Sequence, residues 1–207
     1  MEKKAVIILN GVYLPPTIQK GYVICADGGY DLLKRNSDIL PDVIIGDNDS
    51  LTDTAVSESI LRINFDSDKD MTDGELALRY AVKSGYIDIA VYGALGGRQD
   101  HVESNLALLV LAQRLGVNAV IYDDNTEIHY IGCGKKSFFK IVPKNIIVSI
   151  VPFCFYAHII KTEGLKYPLS DKRLVKHSSL GISNVSVENR ISVEISEGDA
   201  LIFIINA

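Results

Sequence analysis

Short, largely apolar runs alternate with polar, turn-rich stretches through the first 125 residues. AVIIL (5–9), YVIC (22–25), VII (43–45), LRINF (61–65), IDIAVY (87–92) and VNAVIY (117–122) read as strands. Several are apolar at every position, as expected of strands covered on both faces. Between them, residues 29–36, 73–84 and 100–115 read as helices. In the last of these, Val102, Leu106, Leu109, Val110 and Gln113 follow a helical stripe that only Gln113 interrupts. Strands alternating with helices predict a mainly parallel sheet flanked by helices, an α/β domain of Rossmann-like type over residues 1–125.

The pattern changes after that point. EIHYIG, SFFKIV, NIIVSIVPF, YAHIIKT, VSVENRISVEI and ALIFIIN are strand-like and are joined by Gly, Pro, Asn and Ser. Only residues 170–177 (SDKRLVKH) suggest a helix or turn. Residues 126–207 therefore read as a small all-β sandwich or barrel of antiparallel strands.

Composition narrows the class of function. With 207 residues, 47% hydrophobic and 23% charged, the chain has ample material for a core. Its net charge of −5 and the lack of a Lys/Arg block disfavour nucleic acid as a partner. The three cysteines show no metal-ligand or disulfide spacing. The apolar run after Lys3-Lys4 is too short for a signal peptide, and no stretch has the length of a membrane span. A reducing cytoplasm is the expected location.

Aspartates carry the chemistry. Asp27, Asp47, Asp49, Asp70, Asp73 and Asp100 sit where apolar runs give way to polar or Gly-rich segments. In open parallel sheets ligands bind beyond the carboxyl ends of the strands, so these loops are expected on one edge. Two bare carboxylates about 4 Å apart repel by roughly 4 kcal/mol at an effective dielectric of 20. Such a cluster calls for a cation, and Asp-x-Asp after a buried strand offers the hard oxygens that suit magnesium. The alternative for Asp27-Gly28-Gly29 is a plain turn, and for residues 46–50 a loop of Asx turns.

Helix starts and a glycine loop add phosphate chemistry. Thr72-Asp73-Gly74-Glu75 and Asp100-His101-Val102-Glu103 both fit a capping box. A helix N-terminus is also where phosphate oxygens meet free backbone N–H groups, so capping and function are compatible. Gly93-Ala94-Leu95-Gly96-Gly97-Arg98 is the best phosphate cradle, with Arg98 available for bidentate contacts. His101 and Asn105 share one helix face. Residues 132–137 lack P-loop spacing, and a calcium loop from Asp66 lacks its Gly and Glu. DKDMT (68–72) matches the DxDxT pattern of haloacid-dehalogenase-type phosphatases, whose first Asp directly follows the first strand; here Asp66-Ser67 intervene after several strands. A non-catalytic nucleotide sensor with an acidic metal site is a further alternative.

Taken together, ADGG (26–29), GDNDS (46–50), DKDMTDGELAL (68–78) and GALGGRQDH (93–101) closely resemble thiamine pyrophosphokinases. GLKYPL (164–169) and GISN (181–184) resemble that family's second-domain motifs, so the likeness covers almost the whole chain in order. The chain departs from the family at Asn48, where an apolar or aromatic residue is common, and at Val185, where Glu is common. The resemblance implies transfer of a diphosphoryl group from ATP to thiamine, with magnesium, in a homodimer whose site uses both domains from opposite subunits. It implies Asp47, Asp49, Asp70 and Asp73 as metal ligands. It implies Asp27, Ser50, Thr72, Arg98, Asp100, His101 and Asn105 as nucleotide and phosphate positioners. Asp73 and Asp100 are the candidates to orient or deprotonate the alcohol, and Ser183 and Asn184 to face the thiamine pyrimidine.

Overall fold

A computed structural model gives the fold and describes residues 3–46, 60–64, 70–132 and 134–206. The chain divides into two compact units, Met1–Asp124 and Asn125–Ala207.

Among its described residues the first unit holds six strands and three helices. The strands are β1 (Lys4–Ile8), β2 (Tyr22–Ala26), β3 (Val43–Gly46), β4 (Leu61–Asn64), β5 (Asp88–Tyr92) and β6 (Asn118–Asp123). They lie in the order β6-β5-β1-β2-β3-β4, and each neighbouring pair is parallel. β1 is central, and Ala5, Val6, Ile7 and Ile8 are completely buried, which explains the unbroken apolar run. From β1 the chain steps outward through β2, β3 and β4, then returns to β5 on the other side of β1. The strand order therefore reverses between β1 and β5. Crevices for ligands form outside the carboxyl ends of strands at such a reversal.

Helices α1 (Gly29–Asn36), α2 (Asp73–Lys83) and α3 (Gln99–Arg114) follow β2, β4 and β5. α2 begins as its capping motif predicts: Thr72 is extended and its hydroxyl accepts the Glu75 N–H at 3.3 Å. The reciprocal half of the box is absent, because Glu75 bonds Arg79 one turn on, at 2.8 Å. α3 differs from expectation in two ways. It starts at Gln99, with Arg98 at the N-cap and no side-chain cap, so Asp100 is its second residue rather than its cap. Its deepest residues are Leu108, Leu109 and Ala112, so of the expected stripe only Leu109 is buried. The helix is apolar over so much of its circumference that the stripe was not unique in the sequence.

The second unit has two antiparallel sheets. One takes the order β12-β9-β14-β7, from β7 (Thr126–Ile131), β9 (Ile147–Val151), β12 (Asn184–Val185) and β14 (Ala200–Ile205). The other takes the order β11-β10-β13-β8, from β8 (Ser137–Ile141), β10 (Tyr156–Glu163), β11 (Ser170–Val175) and β13 (Arg190–Gly198). Their apolar faces share one core, with Ile131, Val148 and Ile202 from the first and Ile159, Leu174 and Val193 from the second. A polar link crosses between them: Glu127 of β7 bonds Lys140 of β8 and, at 3.1 Å, His129. Residues 170–175 form a strand and not the expected helix or turn. Edge strand β11 buries only Leu174 deeply, so its sequence carries little alternation. The run VSVENRISVEI is divided between β12 and β13, with 186–189 between them.

Candidate active site

A cavity of about 440 Å³ opens in the first unit at the carboxyl ends of β1, β2 and β5. Leu9, Asn10 and Gly11 reach it from β1, and Ala26 and Asp27 from β2. Thr72, Asp73 and Gly74 bring the start of α2. Gly93, Gly96 and Arg98 line it from the loop after β5, and His101 and Asn105 from α3. The strand reversal thus brings together segments spread over almost 100 residues of sequence.

Local backbone geometry sets each wall. Asp27 is buried and adopts a left-handed conformation, φ 46°, which aspartate tolerates better than most residues. Its N–H donates to the Ile45 carbonyl at 2.8 Å and its own carbonyl accepts the Tyr30 N–H at 3.1 Å. The turn and ligand readings of this segment are therefore compatible: the turn is what holds the carboxylate at the cavity. Gly93 has φ 65°, and a Cβ there would lie 2.4 Å from the Leu9 carbonyl oxygen. Only glycine lets the β5 loop turn back so close to β1. Asn105 donates its side-chain N–H to the Ala94 carbonyl at 2.8 Å, tying the glycine loop to α3.

Arg98 and Asp100 form an exposed bidentate pair, with Nη2 to Oδ2 at 2.6 Å and Nε to Oδ1 at 3.2 Å. The Arg98 bond holds the Asp100 carboxyl below its ordinary range and raises the guanidinium in return. A carboxylate so stabilised is a weak base. Asp100 is also not among the lining residues, whereas Asp73 is. Asp70 is exposed, ahead of α2, and does not line the cavity. Asp47, Asp49 and Ser50 lie outside the described residues.

A second cavity, also about 440 Å³, lies wholly in the second unit. Tyr167 and Leu169 form one side, residues 178–182 another, and Asn184 completes it; no carboxylate lines it. Tyr167 is 59% exposed, leaving its ring accessible. Asn184 is buried, and its amide is engaged with backbone. Oδ1 accepts the N–H groups of Tyr167 at 3.0 Å and Val185 at 2.9 Å, and Nδ2 donates to the Tyr167 carbonyl at 2.7 Å. Ser183 has φ 56° and donates its N–H to Ser149 Oγ at 3.0 Å; it does not line this cavity. Asn184 lines the cavity and its amide also clamps the backbone of Tyr167.

Asn10, two residues beyond β1, lines the first cavity but was not among the expected site residues. Tyr167 entered only as part of the GLKYPL motif, and its place beside Asn184 is what the fold adds.

Comparison with known proteins matches both units of the chain to one family. Residues 17–121 match the family model described as thiamin pyrophosphokinase, catalytic domain, and residues 139–199 match thiamin pyrophosphokinase, vitamin B1 binding domain. The chain is 28% identical to a thiamine pyrophosphokinase of Bacillus subtilis (strain 168), over 87% of this chain and 82% of the relative. It is 29% identical to thiamine pyrophosphokinase 1 of Arabidopsis thaliana, over 86% of this chain and 75% of that protein. A crystal structure of thiamine pyrophosphokinase from Bacillus subtilis superimposes with a TM-score of 0.86 at 25% identity, covering 99% of this chain and 100% of the other.

Proposed function

The chain belongs to the thiamin pyrophosphokinase family, and from that premise we propose that it moves the diphosphoryl group of ATP onto the hydroxyethyl oxygen of thiamine, releasing AMP. The observation that carries this reading is the cavity at the β1/β5 reversal, where one wall bears carboxylates and the other a glycine loop with Arg98. Such a Rossmann-like crevice suits a nucleotide. Phosphoryl-type transfer needs mostly positioning and charge neutralisation.

The first unit holds the nucleotide. The opening turn of α2 presents backbone N–H groups and the positive end of its dipole to phosphate oxygens. Arg98, oriented by Asp100, adds a bidentate cation on the opposite side. Asp100 therefore acts through Arg98, and Asp73 is left as the group that orients the attacking alcohol. A loose transition state asks little of a base, so an ordinary aspartate suffices.

Carboxylate oxygens at the cavity are the kind of donor that magnesium takes. Among the described residues no group of three or more His, Cys, Asp or Glu gathers in one place. Asp27 and Asp73 are the acidic residues lining the described cavity. Magnesium is commonly held by one or two carboxylates, the remaining positions going to water and substrate phosphates. Asp73 and Asp70, with Asp47 and Asp49, are the proposed holders. When bound, the ion offsets the charge of the phosphates.

The second unit holds thiamine. Its cavity has an aromatic wall, apolar side chains from Leu169, Leu180 and Ile182, and the hydroxyls of Ser178 and Ser179. This suits an uncharged ring with a polar edge, the aminopyrimidine, seated on Tyr167. The homodimer that the family resemblance implies is part of this proposal. We place the enzyme in the cytoplasm, in keeping with cysteines that show no disulfide spacing in the sequence. No described helix is long and apolar enough to cross a membrane.

The test is thiamine dependence. With ATP and magnesium, AMP is expected to appear only when thiamine is present. Phosphate release without thiamine would indicate a phosphatase, and tight nucleotide binding without turnover a sensor.

A further inference from the structure

Asn10 is a polar residue lining the nucleotide cavity, with no role in the reading so far. β1 and β2 pair in parallel, Ile7 with Ile24 and Ile8 with Cys25. Carried two residues further, that register sets Asn10 level with Asp27, and both line the cavity. The Asn10 amide rests against Gly28, the residue after Asp27: a Cβ on Gly28 would lie 2.5 Å from Asn10 Nδ2 and 2.6 Å from its Cγ. Gly28 itself has φ −59° and ψ −5°, which any residue can adopt. What keeps a side chain out of that position is therefore the Asn10 amide, not the backbone.

The amide and the carboxylate make a specific surface. The backbone of Asp27 is held by two hydrogen bonds and the residue is only 9% exposed, so it offers a carboxylate acceptor from a defined place in the wall. Asn10 adds a donor and a second acceptor with no charge. A phosphate would be repelled by Asp27 and finds its cations and helix amides elsewhere in the cavity. An uncharged group with adjacent hydroxyls satisfies both side chains at once. In doubly wound folds an acidic residue beyond the second strand bonds ribose hydroxyls in the same way.

We propose that Asn10, acting with Asp27, recognises the ribose hydroxyls of the donor nucleotide and so selects ribonucleotide over deoxyribonucleotide. This rests on the reading of ATP as donor. The test compares ATP with its 2′-deoxy and 3′-deoxy analogues, by kcat/KM with thiamine and by calorimetric binding without it. The wild-type chain is expected to prefer ATP over at least one analogue by about tenfold, the scale of one hydrogen bond to a buried polar group. Asn10→Ala should cut that preference to within about threefold by weakening ATP and sparing the analogue, with the KM for thiamine unchanged. Gly28→Ala should do the same by displacing the amide. In the Asn10→Ala/Gly28→Ala double variant the added methyl meets no amide, so its effect should vanish relative to Asn10→Ala alone. Should Asn10→Ala fail to fold, Gly28→Ala supplies the same comparison. An ATP preference absent in the wild type, or unchanged in the variants, overturns the proposal. Binding that discriminates in a chain without thiamine-dependent turnover would overturn the proposed reaction and leave ribose recognition standing.

Discussion

At the scale of single residues, the two aspartates that the sequence offered equally for the alcohol are separated by their neighbours. Asp100 is bound by Arg98 and lies outside the cavity wall, while Asp73 opens α2 inside it. Asp73→Asn should lower kcat by about a hundredfold or more, as expected for a lost electrostatic contact to the reacting group. Asp100→Asn should act more mildly and through ATP, because Arg98 remains. Steady-state kinetics on both variants decides it; equal losses would return Asp100 to the reaction centre. Tyr167→Ala should raise the KM for thiamine about tenfold and leave that for ATP unchanged, in line with one aromatic contact. An effect on ATP of the same size would place Tyr167 elsewhere. Asp27, Thr72, Asp73, Arg98, His101 and Asn105 line one cavity; the first five stood out in the sequence because each sits at a strand end or in the first turn of a helix, and Asn105 because it lies one turn beyond His101. For Asn184 the sequence offered a thiamine contact, and only the fold reveals that its amide also bonds the backbone of Tyr167.

At the scale of elements, strands and helices of the first unit were readable because buried parallel strands leave unbroken apolar runs. The second unit was readable in outline, and edge strand β11 was missed because one buried face of one residue leaves almost no periodicity. The start of α2 was readable to the residue. Thr72→Ala should cost about 1 kcal/mol of stability through loss of the cap, and Thr72→Ser much less; urea unfolding measures both. The polar link between the two sheets of the second unit predicts a pH dependence. Burial pushes the Glu127 carboxyl up, but the bonds from His129 and Lys140 outweigh it and bring it down to about 2 from its ordinary 4.5. Burial of His129 lowers its own value from an ordinary 6.5. Both groups take up protons more readily when unfolded, so acid destabilises the fold: His129 contributes a loss below about pH 6.5, Glu127 a loss as pH falls from about 4.5 toward about 2. Glu127→Gln should cost on the order of 1 kcal/mol at pH 7, a value kept small because the pair is partly solvated. The gap from wild type should narrow between pH 5 and pH 3. A gap that widens in acid would contradict the assignment.

At the scale of the whole molecule, the proposed function divides the work between two kinds of unit. The parallel sheet supplies a crevice with charge, and the antiparallel unit supplies an uncharged cavity with an aromatic wall. The sequence announced this division through the change of pattern near residue 125, and the family's motifs named the chemistry. It could not show which residues share a wall, since the β1/β5 reversal that joins residue 10 to residue 105 is a property of strand order. The central claim is that the β–γ unit of ATP travels intact to thiamine. The most direct measurement supplies ATP labelled at the β phosphorus, with magnesium and thiamine, and follows the label. The account predicts label in thiamine diphosphate, with AMP formed one for one and unlabelled. Label retained in ADP, or released as free phosphate or diphosphate, would contradict it.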